Sequence, residues 1–271
     1  MTFRLLNLAC GSKISKFGNW TNVDFQSPED GVIEMNILRG LKFPSATFDA
    51  VYSAQFIEHL TLKEAEKVLI DVARVMRPGA VIRLVTPDFE ELSKTYLKLL
   101  GELRVDPSVA IEKQYDWVRL ELFDQIVRDY SGGETPEFLA ASDEEFQNYI
   151  IGRIGYTATT FFAEKVGLRQ RLAPTRVLRK LHRIPARLWN FAVALFSTNT
   201  MRVGRFRQSG EVHRYIHDEY SLTRLLKVAG FHSVERVGPS NSSIPDWDKY
   251  QLDIINGVVD GPLALYIEAR R

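Results

Sequence analysis

Apolar and polar positions along this chain fall into two periods. Short apolar runs at residues 3–9, 32–37, 48–53 and 81–86 are bounded by Gly, Pro, Asn or Asp. Their length and punctuation suit strands buried on both faces. Residues 20–24 form a further short strand after Gly18-Asn19. Between the last two apolar runs, Leu62, Ala65, Val68, Leu69, Val72 and Met76 recur at helix spacing. Thr61 with Glu64 three residues on is a capping-box signature for that helix, and Pro78-Gly79 predicts its end. Strand, helix, strand in this order predicts a doubly wound parallel sheet.

Two features modify that plan. Residues 10–19 and 26–31 are too short for ordinary parallel crossovers, which take a dozen residues or more. The N-terminal half is therefore trimmed, with at most a turn of helix in each connection, or one strand pair is not parallel. From residue 89 to 208 the period becomes helical, with Leu92, Tyr96 and Leu100, then Val118, Leu122 and Ile126, on common faces. Strand signals return at 231–237 and 263–269, after a helix with Leu222, Leu225, Leu226 and Ala229 as its stripe, Ser221 as its expected N-cap and Gly230 as its end. The chain thus divides into residues 1–88, a cofactor-binding half; 89–208, a helical insertion serving acceptor specificity or as a lid; and 209–271, the rest of the sheet.

In an open α/β sheet, ligands bind beyond the carboxyl ends of the strands. Asn7, Ala9, Cys10 and Gly11 close the first strand there, and Asp24 closes the second, placed to accept hydrogen bonds from a ribose diol. A dinucleotide site requires G-x-G-x-x-G to admit a pyrophosphate. Ala9, Gly11 and Ile14 stand at those places, which disfavours one. S-adenosylmethionine carries an adenosine and an amino acid without phosphate, so one permissive glycine and one acid suffice for it. A buried strand followed by an ordinary glycine turn is the bland alternative for this stretch alone.

The wider pattern bears on that choice. After Leu6-Asn7-Leu8-Ala9-Cys10-Gly11-Ser12 and Asn22-Val23-Asp24 come Leu41-Lys42-Phe43-Pro44, the run 47–53, Ile57-Glu58-His59-Leu60 and Val75-Met76-Arg77-Pro78-Gly79-Ala80. Together these resemble the class I S-adenosylmethionine-dependent methyltransferases, in particular their type 11 group, over residues 3–88. Gly210-Glu211-Val212-His213-Arg214-Tyr215, Ser221-Leu222 to Gly230-Phe231 and Ser243-Ile244-Pro245 are similar to the tail of a bacterial subgroup often associated with surface-polysaccharide synthesis. The resemblance implies a Rossmann-like doubly wound seven-stranded sheet closed by an antiparallel hairpin, with S-adenosyl-L-methionine as cofactor. It sets residues 7–11 beneath the methionine moiety, Asp24 at the ribose, Asn36 and Ile37 at the adenine, and Ser53, Ala54 and Gln55 opposite. His59 joins this set through the family-like Glu58-His59 pair. Asn7 replaces an acid common in the family, and Ala9 replaces a glycine.

An oxygen acceptor benefits from a base titrating near neutrality, which histidine supplies. Among five histidines, His213 follows the insertion where the chain can fold back over the cleft, and it is the expected general base. Tyr215, His217 and Asp88 compete with it, and a hinge role is the bland alternative for His213. No His, Cys or acidic spacing reads as a metal site.

Composition narrows the setting. A net charge of +1 gives no global reason to expect nucleic acid. Charge is segregated, however: residues 102–148 hold twelve acidic against four basic side chains, and residues 165–207 hold eleven basic and no acidic ones. Pairing between the two is one reading. The other is a basic amphipathic surface at residues 176–196 that rests on anionic lipid. The lone Cys10, the lack of a signal-peptide pattern and the lack of a run of about 20 apolar residues make cytoplasm the expected location, at the inner membrane face if the basic segment binds lipid. The expected activity is methyl transfer to a small-molecule or glycan-like acceptor, at oxygen. Its rivals are a cofactor-binding pseudoenzyme serving as a partner subunit and an RNA methyltransferase.

Overall fold

A computed structural model describes residues 3–15, 17–27, 30–170 and 198–271. The basic stretch 176–196, with its lipid-binding expectation, lies outside them. Seven strands form one sheet: β1 (Leu5–Leu8), β2 (Trp20–Asp24), β3 (Val32–Glu34), β4 (Phe48–Ala54), β5 (Met76–Pro87), β6 (His232–Arg236) and β9 (Ala264–Arg270). Their order is β3-β2-β1-β4-β5-β9-β6. The first five are parallel, while β9 runs antiparallel to both β5 and β6. This is the expected Rossmann-like sheet with its antiparallel close. A small hairpin, β7 (Ile254–Ile255) with β8 (Val258–Val259), precedes β9.

The short early connections turn out parallel and contain no helix among their described residues. That leaves part of one sheet face without the usual crossover helix. Successive side chains of a strand point to opposite faces, and the two faces are covered differently. On one, Leu6, Leu8, Val51 and Ile82 pack against helix α1 (Leu62–Val75) and the late helix Glu219–Val228. On the other, Leu5, Trp20, Tyr52 and Val85 pack against Ile244, Trp247 and Leu252, from the segment between β6 and β7. Rings stack edge to face there, with Trp20 5.1 Å from Tyr250.

Buried within that second face is Arg83 of β5, 0% exposed. Its Nε donates to Asp253 (2.7 Å), Nη1 to Glu268 and the Asn241 carbonyl (2.8 Å each), and Nη2 to the Gly238 carbonyl (2.9 Å). A guanidinium has five donors in a fixed fork. Satisfying them here pins the covering segment to the sheet.

Boundaries differ from expectation at two places. Helix α1 has the Thr61–Glu64 capping box but stops at Val75, before Pro78-Gly79, and β5 pairing begins at Met76. Met76 is already extended (φ −80°, ψ 150°) and pairs with Phe48, so strand pairing ends the helix before the proline's own restriction, which falls on Arg77. The late helix is capped by Asp218, and Ser221 instead serves as the third residue of that capping box.

Among the described residues the insertion consists of α2 (Phe89–Val105), α3 (Val109–Val127), α4 (Thr135–Ala141), α5 (Glu144–Ile154), α6 (Tyr156–Gln170) and α7 (Asn199–Arg207). It has its own cores, one around Trp117, Phe146 and Ile150 and one around Leu92, Leu99 and Val118. Arg207 of α7 pairs with Asp129 at 3.3 Å. The turn into α6 meets the β7–β8 hairpin at Gly155, whose φ of +69° and whose position 1.9 Å (as a hypothetical Cβ) from the Val259 carbonyl oxygen exclude any side chain.

Candidate active site

The carboxyl ends of β1, β2 and β4 carry the first group of expected residues. Ala9 and Gly11 both take φ of +53°, so the loop turns through two left-handed residues. At Gly11 that backbone angle is what favours glycine, since a Cβ there would meet nothing within 4 Å. Gly11 N–H donates to Asp24 Oδ2 and Phe25 N–H to Oδ1, each at 2.6 Å. These bonds hold the half-buried Asp24 carboxylate at the loop with lone pairs to spare. Asn36 accepts from Leu38 N–H at 3.1 Å and thereby caps a 3-10 turn that buries Ile37. A left-handed loop and an acid oriented by backbone donors suit the methionine and ribose ends of S-adenosylmethionine, and Asn36 with Ile37 stands beyond the next strand, where the adenine is expected.

Other expected cofactor residues are placed behind that loop. Asn7, 1% exposed, donates through Nδ2 to the Lys13 carbonyl (2.7 Å) and to Asn22 Oδ1 (2.9 Å), so both amide protons are spent inside. Ser53 donates to the Leu8 carbonyl at 2.9 Å. The buried Cys10 thiol is pushed up to about 11 by burial and then by Asp24, which keeps it protonated. Ala54 is half-buried, and Gln55 is exposed.

A cavity of about 370 Å³ opens beside Gln55, between the ends of β4 and β5 and the insertion. His59 and His213 line it together, their rings 4.7 Å apart edge to face. Glu121 and Arg153, joined at 2.7 Å, form the insertion wall. Of the rivals to His213, Asp88 also lines the cavity. Its Oδ1 caps α2, and Arg236 sits 2.7 Å from Oδ2. Tyr215 and His217 are not among the lining residues. They pack on one another at 4.7 Å, with His217 0% exposed.

Burial alters the chemistry of these histidines. It lowers His213 to about 3, helped by His59 and Arg128, and His217 to about 4. Both are neutral at working pH and weak as bases. The group brought near neutrality is Glu58, raised to about 7 by burial. Its backbone carbonyl accepts from Arg214 and Tyr215 N–H (2.7 and 3.1 Å), which seats the returning segment beside residues 58–59. Oε2 accepts from Thr86 at 3.2 Å, and Oε1 has no partner among the described residues.

A second cavity, about 810 Å³, lies against Ser12, Lys13 and Ile14 and shares Thr157 and Asp260 with the first. At the shared wall Asp260 pairs with Lys13 (2.5 Å) and accepts from Thr157 N–H and hydroxyl (3.0 and 2.8 Å). Lys13, Glu58, Glu121, Arg153 and Asp260 went unselected in the sequence. Only the Glu58-His59 adjacency offered a signal there.

Residues 19–84 match the family model of a methyltransferase domain. Within a seven-stranded sheet closed by an antiparallel strand, this match over about a quarter of the chain supports a methyltransferase of Rossmann-like fold that uses S-adenosylmethionine. Similar solved structures include an S-adenosylmethionine-dependent methyltransferase from Archaeoglobus fulgidus (12% identity, 99% of this chain and 86% of that one, TM-score 0.40). Another is a methyltransferase from Methanosarcina mazei (21%, 36% and 61%, 0.29). A third is the sugar N-methyltransferase KedS8 from Streptoalloteichus (18%, 31% and 40%, 0.26). At these scores the likenesses carry no argument about activity. No curated protein sequence matches the chain.

Proposed function

We propose that the protein transfers the methyl group of S-adenosylmethionine to an oxygen of a small-molecule or glycan-like acceptor held in the cavity under the insertion. The observation that carries this reading is the cavity itself, which opens beyond β4 and β5, shares Thr157 and Asp260 with the second cavity against Ser12, Lys13 and Ile14, and is lined by two neutral imidazoles. When bound, the cofactor supplies an electrophilic methyl on a sulfonium. Asp24 and the Gly11 loop hold one reactant and the cavity walls hold the other, so that much of the rate comes from alignment.

His213 offers its lone pair to the acceptor hydroxyl. An oxygen that has received a methyl group while still protonated is a strong acid, so even a weakened imidazole accepts that proton as the bond forms. Gln55, Gln125 and the Glu121–Arg153 pair provide donors and acceptors suited to a polyhydroxyl acceptor. A role in surface-polysaccharide synthesis and a cytoplasmic site of action, against the membrane through residues 176–196, complete the proposal and rest on the family resemblance and the charge pattern.

The test is turnover over a panel of activated sugars, with cofactor affinity measured by calorimetry. His213→Ala should lower turnover by at least about 100-fold with cofactor affinity unchanged. Wild-type turnover in that variant would remove His213 from the reaction. Cofactor binding without transfer to any acceptor would favour a partner-subunit role.

A further inference from the structure

Glu58, His59 and His213 come from two distant stretches of chain, and one ligand atom of each lies within 4.8 Å of the others. Glu58 and His213 are 0% and 4% exposed. Glu58 Oε1 and His59 Nδ1 are buried without a hydrogen-bond partner among the described residues. Leaving a buried polar atom unpaired is costly, and two such atoms in one cluster beside a cavity call for a ligand between them.

We propose that Glu58, His59 and His213 bind a divalent cation, zinc by preference, with a coordination position open to the cavity. Two imidazoles and one carboxylate are the donor set of a catalytic zinc that keeps an open site, and imidazole favours zinc over magnesium or calcium. A ligating histidine commonly gives its second ring nitrogen to a backbone carbonyl. The Val212 backbone lies close enough to the His59 ring to hold up its basicity, and Nδ1 has no hydrogen-bond partner among the described residues. The cationic group nearest both imidazoles is Arg128, and Glu211 balances it at 3.5 Å. Zinc bonds of about 2.0–2.2 Å hold ligand atoms about 3.5 Å apart, so loading draws the three side chains inward by about 1 Å.

This inference deepens the acceptor-site reading and rests on it for the role of the ion. An acceptor hydroxyl in the open position loses its proton to water near neutral pH, as zinc-bound water does. The resulting alkoxide forms the O–CH₃ bond as the S–CH₃ bond breaks. In the loaded enzyme His213 is a ligand and no longer receives the proton.

The experiment measures zinc directly, without acceptor. The purified full chain is stripped with a chelator, titrated with zinc against a chromophoric competitor and assayed for bound metal after dialysis. We expect one zinc per chain. Glu58→Gln and His213→Gln should each weaken zinc by about 100-fold or more while calorimetry shows S-adenosylmethionine affinity retained, which certifies the fold. His232→Gln, on exposed β6, should bind zinc like the wild type. Equal zinc affinity in the wild type and a Glu58→Gln/His59→Gln double variant would overturn the site. If zinc fails to bind while His213→Ala still abolishes turnover, this inference falls and the methyl-transfer reading stands. If zinc binds while no acceptor on the panel is methylated, the site stands and the methyl-transfer reading falls.

Discussion

The edge proposed for the cofactor and the cavity proposed for the acceptor both lie at the carboxyl end of the sheet, yet they are built from different material. The edge is local: Gly11 bonds Asp24, and Asn36 caps its own turn, with half-buried groups and backbone donors. The cavity gathers groups from β4, α3, α5, the segment after α7 and the β8–β9 turn, and holds them as buried ion pairs and unpaired polar atoms. Substitutions at the edge should therefore cost ligand affinity and little stability. Those at or behind the cavity should cost stability first.

The sharpest way to break this contrast is Arg83→Met. Removing the guanidinium leaves Asp253 and Glu268 buried without their counter-ion, a loss of about 3–5 kcal/mol. Asp253 also accepts the Asp260 N–H at 2.8 Å, so the cavity wall should loosen with it. A urea midpoint close to wild type would show that the covering segment stands without this pin. Next comes His217→Leu, read against pH. The unfolded chain protonates this histidine below about pH 6.5, the folded one only near 4. Its native-state contribution is whole above 6.5 and drains away as pH falls through 4. Asp218 beside it works weakly against the shift, Asp88 bridges to its backbone and Tyr215 covers its ring. Denaturation at pH 7 and pH 4 should show the variant losing up to about 3 kcal/mol less on acidification than wild type. Equal losses would mean that the imidazole is hydrated.

At the edge, Asp24→Ala removes the carboxylate proposed to bind the ribose. It should weaken cofactor binding by about 1.5–3 kcal/mol, with a melting temperature near wild type. Unchanged affinity would take Asp24 out of the site.

The same contrast explains what could be read from the chain. Thr61 and Glu64 announce a helix start because a capping box spans three residues. Gly11 and Asp24 can be placed together at the carboxyl ends of β1 and β2 because strand, turn and strand follow one another directly. The parallel pairing of β1 and β2 across so short a link was left open, since crossover length argues against it and only sheet formation decides. Glu58 with His213 and Asp260 with Lys13 lie nearly half the chain or more apart, and no spacing rule joins them. The expectation that a histidine titrates near neutrality failed for His213, because burial is a tertiary property that sequence does not carry.

The smallest effect tests where the two regions meet. Asp260→Asn keeps an oxygen for Thr157 N–H and hydroxyl but removes the charge facing Lys13. The Lys13 backbone stays anchored, since Asn7 holds its carbonyl at 2.7 Å, so only the ammonium is released. Lys13 is 21% and Asp260 6% exposed; the variant leaves a neutral amide at the buried position and frees the ammonium to turn toward water, so the loss should be about 1 kcal/mol. A domain of this size should therefore melt about 2–4 °C lower at low salt, and the difference should shrink at molar salt, where screening reaches about 3 Å. Cofactor affinity should move little if the edge is independent of the cavity wall. A change in affinity larger than the change in stability would mean that Lys13 reports cavity state to the Gly11 loop, and the two regions would have to be treated as one site.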